Sequence, residues 1–391
     1  MKLSPSTIIF VGLFLRIIYG IFEWNNPHLS FSGQDIFRFM DLALPLLEGF
    51  DQGVPLGEYR IPVEKAEYKT WGMAYVYFIA FIFNITTDSL GVLYFLSALS
   101  WLMSTFVFLK ILDLLKVTQD KKNLALLIYV FLPSSLFITG TPLREAHQLL
   151  FVNLCIFFAL KAYFYKDIRY WFGLTFSIFI NSLLHPTFIV FGGLLFFVTL
   201  ISSRFRSGYS FKWSHLYVFG FIALFASYLS LNIFSLAAYD LTEGFGVAIT
   251  AFSEGSIETG QASRAQYKTS LIDLSENNFF GILGFLIYGF IQYLFEPFPW
   301  KIANILDLGL FIENTLRASM IFIGLKILFF GTLKNKVPLF LIITSFFILE
   351  ALWSIGSTNW GTAVRHHVPA MGLLILSGLA FTNLSIKRVS Q

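Results

Sequence analysis

The feature that most limits what this chain can become is a series of apolar runs, each unbroken for 15 to 25 residues, that recur along nearly its whole length. A bilayer hydrocarbon core about 30 Å thick is crossed by about 20 helical residues, so each run has the length of a membrane span. A transmembrane barrel would instead show strands of about ten residues with alternating polarity. Composition agrees with the helical reading. Of 391 residues, 56% are hydrophobic and 13% charged, with 48 phenylalanines, where soluble domains carry about a quarter charged residues. Mean hydropathy is +0.72. A water-soluble fold of this length could not hide so much apolar surface. The expectation is an all-α, polytopic helical membrane protein forming a single transmembrane domain over residues 1–391.

The remaining global features exclude more than they assign. The single Cys155 sits inside an apolar run and has no partner for an internal disulfide. The net charge of +4 is spread along the chain, not gathered on one basic face, so nucleic acid is not expected as a partner. Met1 to Phe22 lacks a small-residue cleavage site and is followed by many more apolar runs, so it reads as a first anchor, not a signal peptide.

Charge sets the topology. Ten segments make good spans: roughly 7–22, 90–112, 123–140, 146–164, 171–185, 187–202, 215–237, 309–331, 337–356 and 367–384. Two others, 72–86 and 279–295, adjoin long polar stretches. If those two do not cross, 16 of the 27 lysines and arginines lie on or near the cytoplasmic side, accompanied only by Asp113, Asp120 and Asp167. If both crossed, residues 88–278 would invert and ten of those sixteen bases would face outward. The positive-inside rule therefore favours about ten transmembrane helices with both termini cytoplasmic. The two excluded segments become interfacial or re-entrant helices, flanked by Tyr68, Trp71, Tyr75 and Tyr77 in one case and by Tyr293, Phe298 and Trp300 in the other. Residues 23–89 then form a first outer loop with interfacial helices, and 238–308 a second long outer loop.

Ionisable groups near membrane depth are costly and mark candidate sites. Ser32-Gly33-Gln34-Asp35 precedes an amphipathic stretch in which Ile36, Phe37, Met40, Leu42, Ala43 and Leu46 share a face, with Asp35 at its start. A plain helix cap would also explain Asp35. Thr141-Pro142-Leu143-Arg144-Glu145-Ala146-His147 opens the fourth span; Glu145 reads either as a cap or as a functional acid. His185, before Pro186, lies at an outer turn, where a structural role is the plainer one. Asn359-Trp360-Gly361-Thr362-Ala363-Val364-Arg365-His366-His367 precedes the last span and puts Arg365, His366 and His367 on a side that positive residues avoid. That grouping suits an anionic ligand, since a guanidinium grips phosphate oxygens in a fork. A two-histidine metal site is weaker, because adjacent helical residues point about 100° apart and no third ligand is near. Glu296-Pro297-Phe298-Pro299-Trp300-Lys301 is a rigid aromatic turn that suits a sugar or lipid groove, or an interfacial anchor. Away from this face the span interiors are nearly free of charge, with Arg16, Arg317 and Glu350 the main exceptions.

Taken together these clusters resemble the GT-C superfamily of membrane glycosyltransferases, which includes aminoarabinose and protein O-mannosyl transferases. The likeness rests on Asp35 just after span 1, Glu145 at the outer end of span 3, and Gly72-Met73-Ala74-Tyr75-Val76-Tyr77 before span 2. It implies a GT-C-like fold and a sugar donor carried on a polyprenyl phosphate, with a glycan, glycolipid or protein acceptor. The reaction would belong to cell-envelope polysaccharide or glycolipid synthesis at the outer face of a bacterial inner (plasma) membrane. It also implies Asp35 as general base and Glu145 as acceptor-orienting acid. Any divalent cation, magnesium or manganese, would lie between these two acids; no other cofactor is implied. Arg365, with His366 or His367 and Arg144, would stabilise the departing phosphate, and His185, Glu296, Trp300 and Asn359 would line the substrate site. Two other classes fit parts of the pattern. An O-antigen-type polymerase or ligase would rely on the Arg and His residues, and a transporter or flippase of lipid-linked sugars would place charge near the midplane.

Overall fold

The computed structural model describes residues 4–26, 35–51, 73–165, 167–185, 187–205, 267, 279–331, 336–355, 357 and 359–382. The span expected at 215–237, most of the second outer loop, Ser32 to Gln34, Tyr68, Trp71 and Gly72 lie outside the described residues. The regular elements among the described residues are helices: α1 Pro5–Asn25, α2 Asp35–Asp51, α3 Met73–Ile85, α4 Leu90–Leu114, α5 Gln119–Phe131, α6 Pro133–Gly140 and α7 Glu145–Tyr165. They continue with α8 Ile168–Leu184, α9 Thr187–Phe205, α10 Phe279–Phe295, α11 Ile305–Phe330, α12 Val337–Ile355, α13 Trp360–His367 and α14 Met371–Leu379.

Among the described residues, five helices (α1, α4, α7, α11 and α12) are long and apolar enough to cross a membrane, and the bent pair α5–α6 makes a sixth. The ten-span count divides the chain more finely than these helices do. The segment read as 123–140 is one span only if a 55° bend between α5 and α6 is allowed. The segment read as 367–384 holds the nine-residue α14, too short to cross a bilayer by itself. Met371 to Gly378 are all buried, because α14 packs against α5, α7, α11 and α12 in the middle of the bundle. A helix that is apolar all round belongs in such a place.

Next to the bundle, α2 and α3 pair with each other. Ile36, Leu42, Ala43 and Leu46 of α2 bury against Tyr75, Val76, Ile79, Ala80 and Phe83 of α3, on the face that the apolar spacing predicts. With 13 residues, α3 is about 20 Å long at 1.5 Å per residue, short of the bilayer core.

The α5–α6 break accounts for two of the intramembrane charges. Pro133 has no N–H and cannot continue the α5 ladder. In an unbroken helix Ser134 N–H would donate to Val130 O. Here the two groups part. Val130 O accepts from Arg16 Nη1 at 3.1 Å, and Ser134 N–H donates to Glu313 Oε1 at 2.8 Å. A cation thus sits at the C-terminal end of one half-helix and an anion at the N-terminal end of the next, the arrangement that helix dipoles favour. Arg16 is 1% exposed. It also donates to Thr139 Oγ1 at 2.7 Å, Gly12 O at 3.1 Å and Ser135 Oγ at 3.3 Å, and its guanidinium lies 3.6 Å from the centre of the Trp101 ring. Gly12 makes this approach feasible, since a Cβ there would come within 2.2 Å of Val130 Cγ1.

Removing Arg16 should therefore cost stability, not chemistry. Arg16→Met strands the Val130 carbonyl and two hydroxyls, an expected loss of about 1–3 kcal/mol. Glu313→Gln keeps an acceptor for Ser134 N–H and should cost less than Glu313→Leu. Thermal unfolding of the purified variants in detergent checks the order; equal losses for Gln and Leu at 313 would contradict the capping role.

Candidate functional site

The turn from α6 into α7 places the first candidate acid, Glu145. After Gly140 the chain reverses through Thr141 and Pro142, and Tyr75 Oη donates to Pro142 O at 3.2 Å, tying α3 to the turn. Glu145 opens α7 and is 2% exposed. A carboxylate at a helix N-terminus is electrostatically favoured, but this one also has a long-range partner. Arg365 Nε and Nη2 both donate to Glu145 Oε1, at 3.1 and 2.9 Å. The second oxygen, Oε2, accepts no hydrogen bond among the described residues.

Arg365 is delivered by α13, a helix of eight residues. Asn359 caps it, its Oδ1 accepting from Thr362 N–H at 2.8 Å. Three successive basic residues end the helix, where the dipole welcomes cations, and the rotation of about 100° per residue sends them three ways. Arg365 goes to Glu145. His366 stacks on Trp353, with ring centres 4.1 Å apart and planes 21° from parallel, and its Nδ1 lies 2.7 Å from Ser357 Oγ. Ser357 donates its hydroxyl hydrogen to Trp353 O at 2.9 Å, so His366 carries its own hydrogen on Nδ1 and keeps the Nε2 lone pair. His367 turns inward: Nδ1 is 2.6 Å from Glu350 Oε2, and Nε2 is 3.1 Å from Tyr293 O.

The neighbours complete a basic and aromatic patch around Glu145. His185 terminates α8 and accepts from Thr187 N–H through Nδ1 at 3.3 Å; its ring centre lies 4.6 Å from that of Trp353. Arg144 reaches toward Leu184 O at 3.5 Å and lies 5.7 Å from the Phe39 ring. Phe39 packs edge-on against Tyr75 at 5.3 Å, which brings α2 to the patch. Asp35 is the first residue of α2, one turn before Phe39; its side chain lies outside the described residues. The structure thus brings together Glu145, Arg365, Arg144, His366 and His185, residues drawn from three distant parts of the chain.

Other expected site residues occupy different places. Glu296 is 3% exposed, with Oε1 accepting from Gln292 and Oε2 from Lys301, each at 2.7 Å. Lys301 lies 5.5 Å from the Trp360 ring, so Glu296 helps join its turn to the start of α13. Trp300 is 78% exposed and stacks on Phe298. Sequence reasoning did not single out Trp353, Ser357 or Glu313. Trp353 looked like one more aromatic at a span end, whereas Glu350 was at least visible as a lone acid in an apolar run. Of the acid pair expected to hold magnesium or manganese, only Glu145 has a described side chain, and its neighbours Arg365 and Arg144 both oppose a cation there. Among the described residues no group of three His, Cys, Asp or Glu side chains could hold a metal ion. No family model, no curated protein and no solved structure matches this chain.

Both patch histidines are held neutral. Burial first, then Arg365, Arg144 and His367, push the His366 pKa well below the usual imidazole range. Burial, then Arg144 and His366, do the same to His185. The unfolded chain takes up these protons near pH 6.5 and the folded chain does not. Their stabilising effect is complete above about pH 6.5 and is lost as pH falls below it. Thermal stability should decline between pH 7 and pH 5, and His366→Asn should flatten that decline; an unchanged slope would contradict it. Separately, Arg365→Ala leaves Glu145 buried without its cation and should cost about 3–5 kcal/mol, part of it recovered in Glu145→Gln/Arg365→Ala.

Proposed function

We propose that this chain is a membrane glycosyltransferase that moves a sugar from a polyprenyl-phosphate donor to an acceptor hydroxyl at the extracytoplasmic face of a bacterial inner membrane. In this reading the chain crosses the membrane about ten times, with both termini cytoplasmic. The carrying observation is the Glu145–Arg365 pair, a buried acid with one oxygen tied to a guanidinium and the other uncommitted among the described residues. The acceptor oxygen attacks the anomeric carbon, its proton passes to a carboxylate, and the bond to the phosphate oxygen breaks. Asp35 serves as base, and Glu145 orients the acceptor through Oε2. The negative charge left on the polyprenyl phosphate is met by Arg365 and Arg144. His366 and His185, being neutral, contribute hydrogen bonding and not charge. His367, committed to Glu350 and Tyr293 O, holds α13 in place and does not touch substrate.

A second reading is favoured by one observation. The broken α5–α6 helix and the buried charges near it, Arg16, Glu313, Arg317 and Glu350, are features that transporters of polar substrates share. Release of polyprenyl phosphate from a panel of polyprenyl-phosphate sugars, in membranes containing the protein, separates the readings. The transferase reading expects release that falls by about 100-fold or more in Asp35→Asn, consistent with a lost general base, and strongly in Arg365→Ala. Loss in Arg365→Ala with full activity in Asp35→Asn would favour an O-antigen-type polymerase or ligase. No release at all, with uptake of the intact donor into vesicles, would favour a transporter.

A further inference from the structure

A cavity of about 10 Å3 lies beside the α5–α6 break, lined on its polar side by Ser134, Arg317, Glu350 and His367 and elsewhere by apolar groups that include Met371. That is about the smallest space that holds one water, and it holds no more. Three of the polar groups are partly committed. Ser134 gives its backbone N–H to Glu313. Arg317 spends Nη1 on Leu294 O at 3.0 Å and on Asn314 Oδ1, which leaves the Nε and Nη2 hydrogens of the fork. His367 faces oxygens with both ring nitrogens. Because Tyr293 O can only accept, Nε2 must donate to it, and the other ring nitrogen is taken up by Glu350 Oε2. Glu350 Oε1 then accepts no hydrogen bond of good geometry among the described residues, on a side chain 1% exposed, and the buried Tyr293 hydroxyl beside the same carboxylate is likewise without a well-formed bond there.

We propose that this cavity binds a single ordered water, which donates to Glu350 Oε1 and accepts from Arg317, so that a hydrated charge cluster sits inside the bundle. A buried carboxylate oxygen demands a donor, and a polar space of this size with two or more partners holds water where an apolar one stays dry. The guanidinium lining the cavity excludes a metal cation from the same place. The water links α11 to α12 beside the break and keeps the Glu350–His367 pair, and with it the end of α13, in a fixed position. The inference does not depend on the transferase reading.

Pulsed X-ray radiolysis tests it, because hydroxyl radicals form from water in place and oxidise the nearest methionine sulfur. Met371 and Met320 are equally hidden, at 3% and 4% exposure, but only Met371 lines the cavity. In the intact protein Met371 should convert to sulfoxide several-fold faster than Met320, measured by peptide mass spectrometry. Equal, background rates at the two methionines would overturn the proposal. Ala370→Val adds two methyl groups to the cavity wall and should bring Met371 down to the Met320 rate. Persistent fast oxidation in that variant would mean that the radicals arrive from bulk, and would also overturn it. Should the variant fail to fold, the comparison within the wild-type protein decides alone.

Discussion

The constraint on which the rest of this structure depends is that no backbone polar group can be left to water at membrane depth. Pro133 breaks a helix inside the bundle, and the bundle answers with two charges of opposite sign on different helices. Arg16 takes the stranded carbonyl of Val130, and Glu313 takes the stranded N–H of Ser134. Charges that would elsewhere mark a substrate path are here spent on the chain itself. The same economy holds for Arg317, which binds Leu294 O, and for His367, which binds Tyr293 O and Glu350. Glu145 and Glu350 each keep one buried oxygen without a donor among the described residues, and of the two it is Glu145 that is paired with an arginine. Its Oε1 receives both donors from Arg365, and its Oε2 receives none among the described residues.

Helical rotation at the end of α13 separates three adjacent basic residues into three tasks. Arg365 meets the acid, His366 packs flat on Trp353 beside it, and His367 locks the helix to α12 and α10. The electrostatics follow from this placement. Two guanidiniums, Arg144 and Arg365, share the patch with one described carboxylate, and the histidines respond by staying neutral. The result is a positively biased patch with one buried acid, which suits a ligand that combines hydroxyl groups with a phosphate. It is this combination, and not the fold class, on which the transferase proposal rests, since a helical bundle hosts many activities.

Much of the bundle was legible because membrane spans announce themselves by length and polarity. The runs at 7–22, 90–112, 146–164, 309–331 and 337–356 lie within or close to α1, α4, α7, α11 and α12. The amphipathic face of α2 was equally readable. The break after Leu132 was not expected, although Pro133 was in view, because hydropathy averages over a kink. The last segment was read as one span because its apolar length exceeds the nine residues of α14, and only packing shows that this helix is enclosed on every side. In the site, the basic run at 365–367 was visible as an anomaly, and the divergence of the two histidines follows from helical geometry. What no local pattern could reveal is the pairing of residues 220 positions apart, or the capping of α6 by an acid from α11.

The most direct measurement is of that long-range meeting. In a Cys155→Ser background, Glu145→Cys and Arg365→Cys placed in the same chain should be bridged by a short bis-thiol reagent in native membranes. The joined peptides would be identified by mass spectrometry, and a Glu145→Cys/Trp300→Cys control should stay unbridged. If 145 and 365 join no more readily than the control pair, the buried acid and the guanidinium do not share a site, and the account built on them fails.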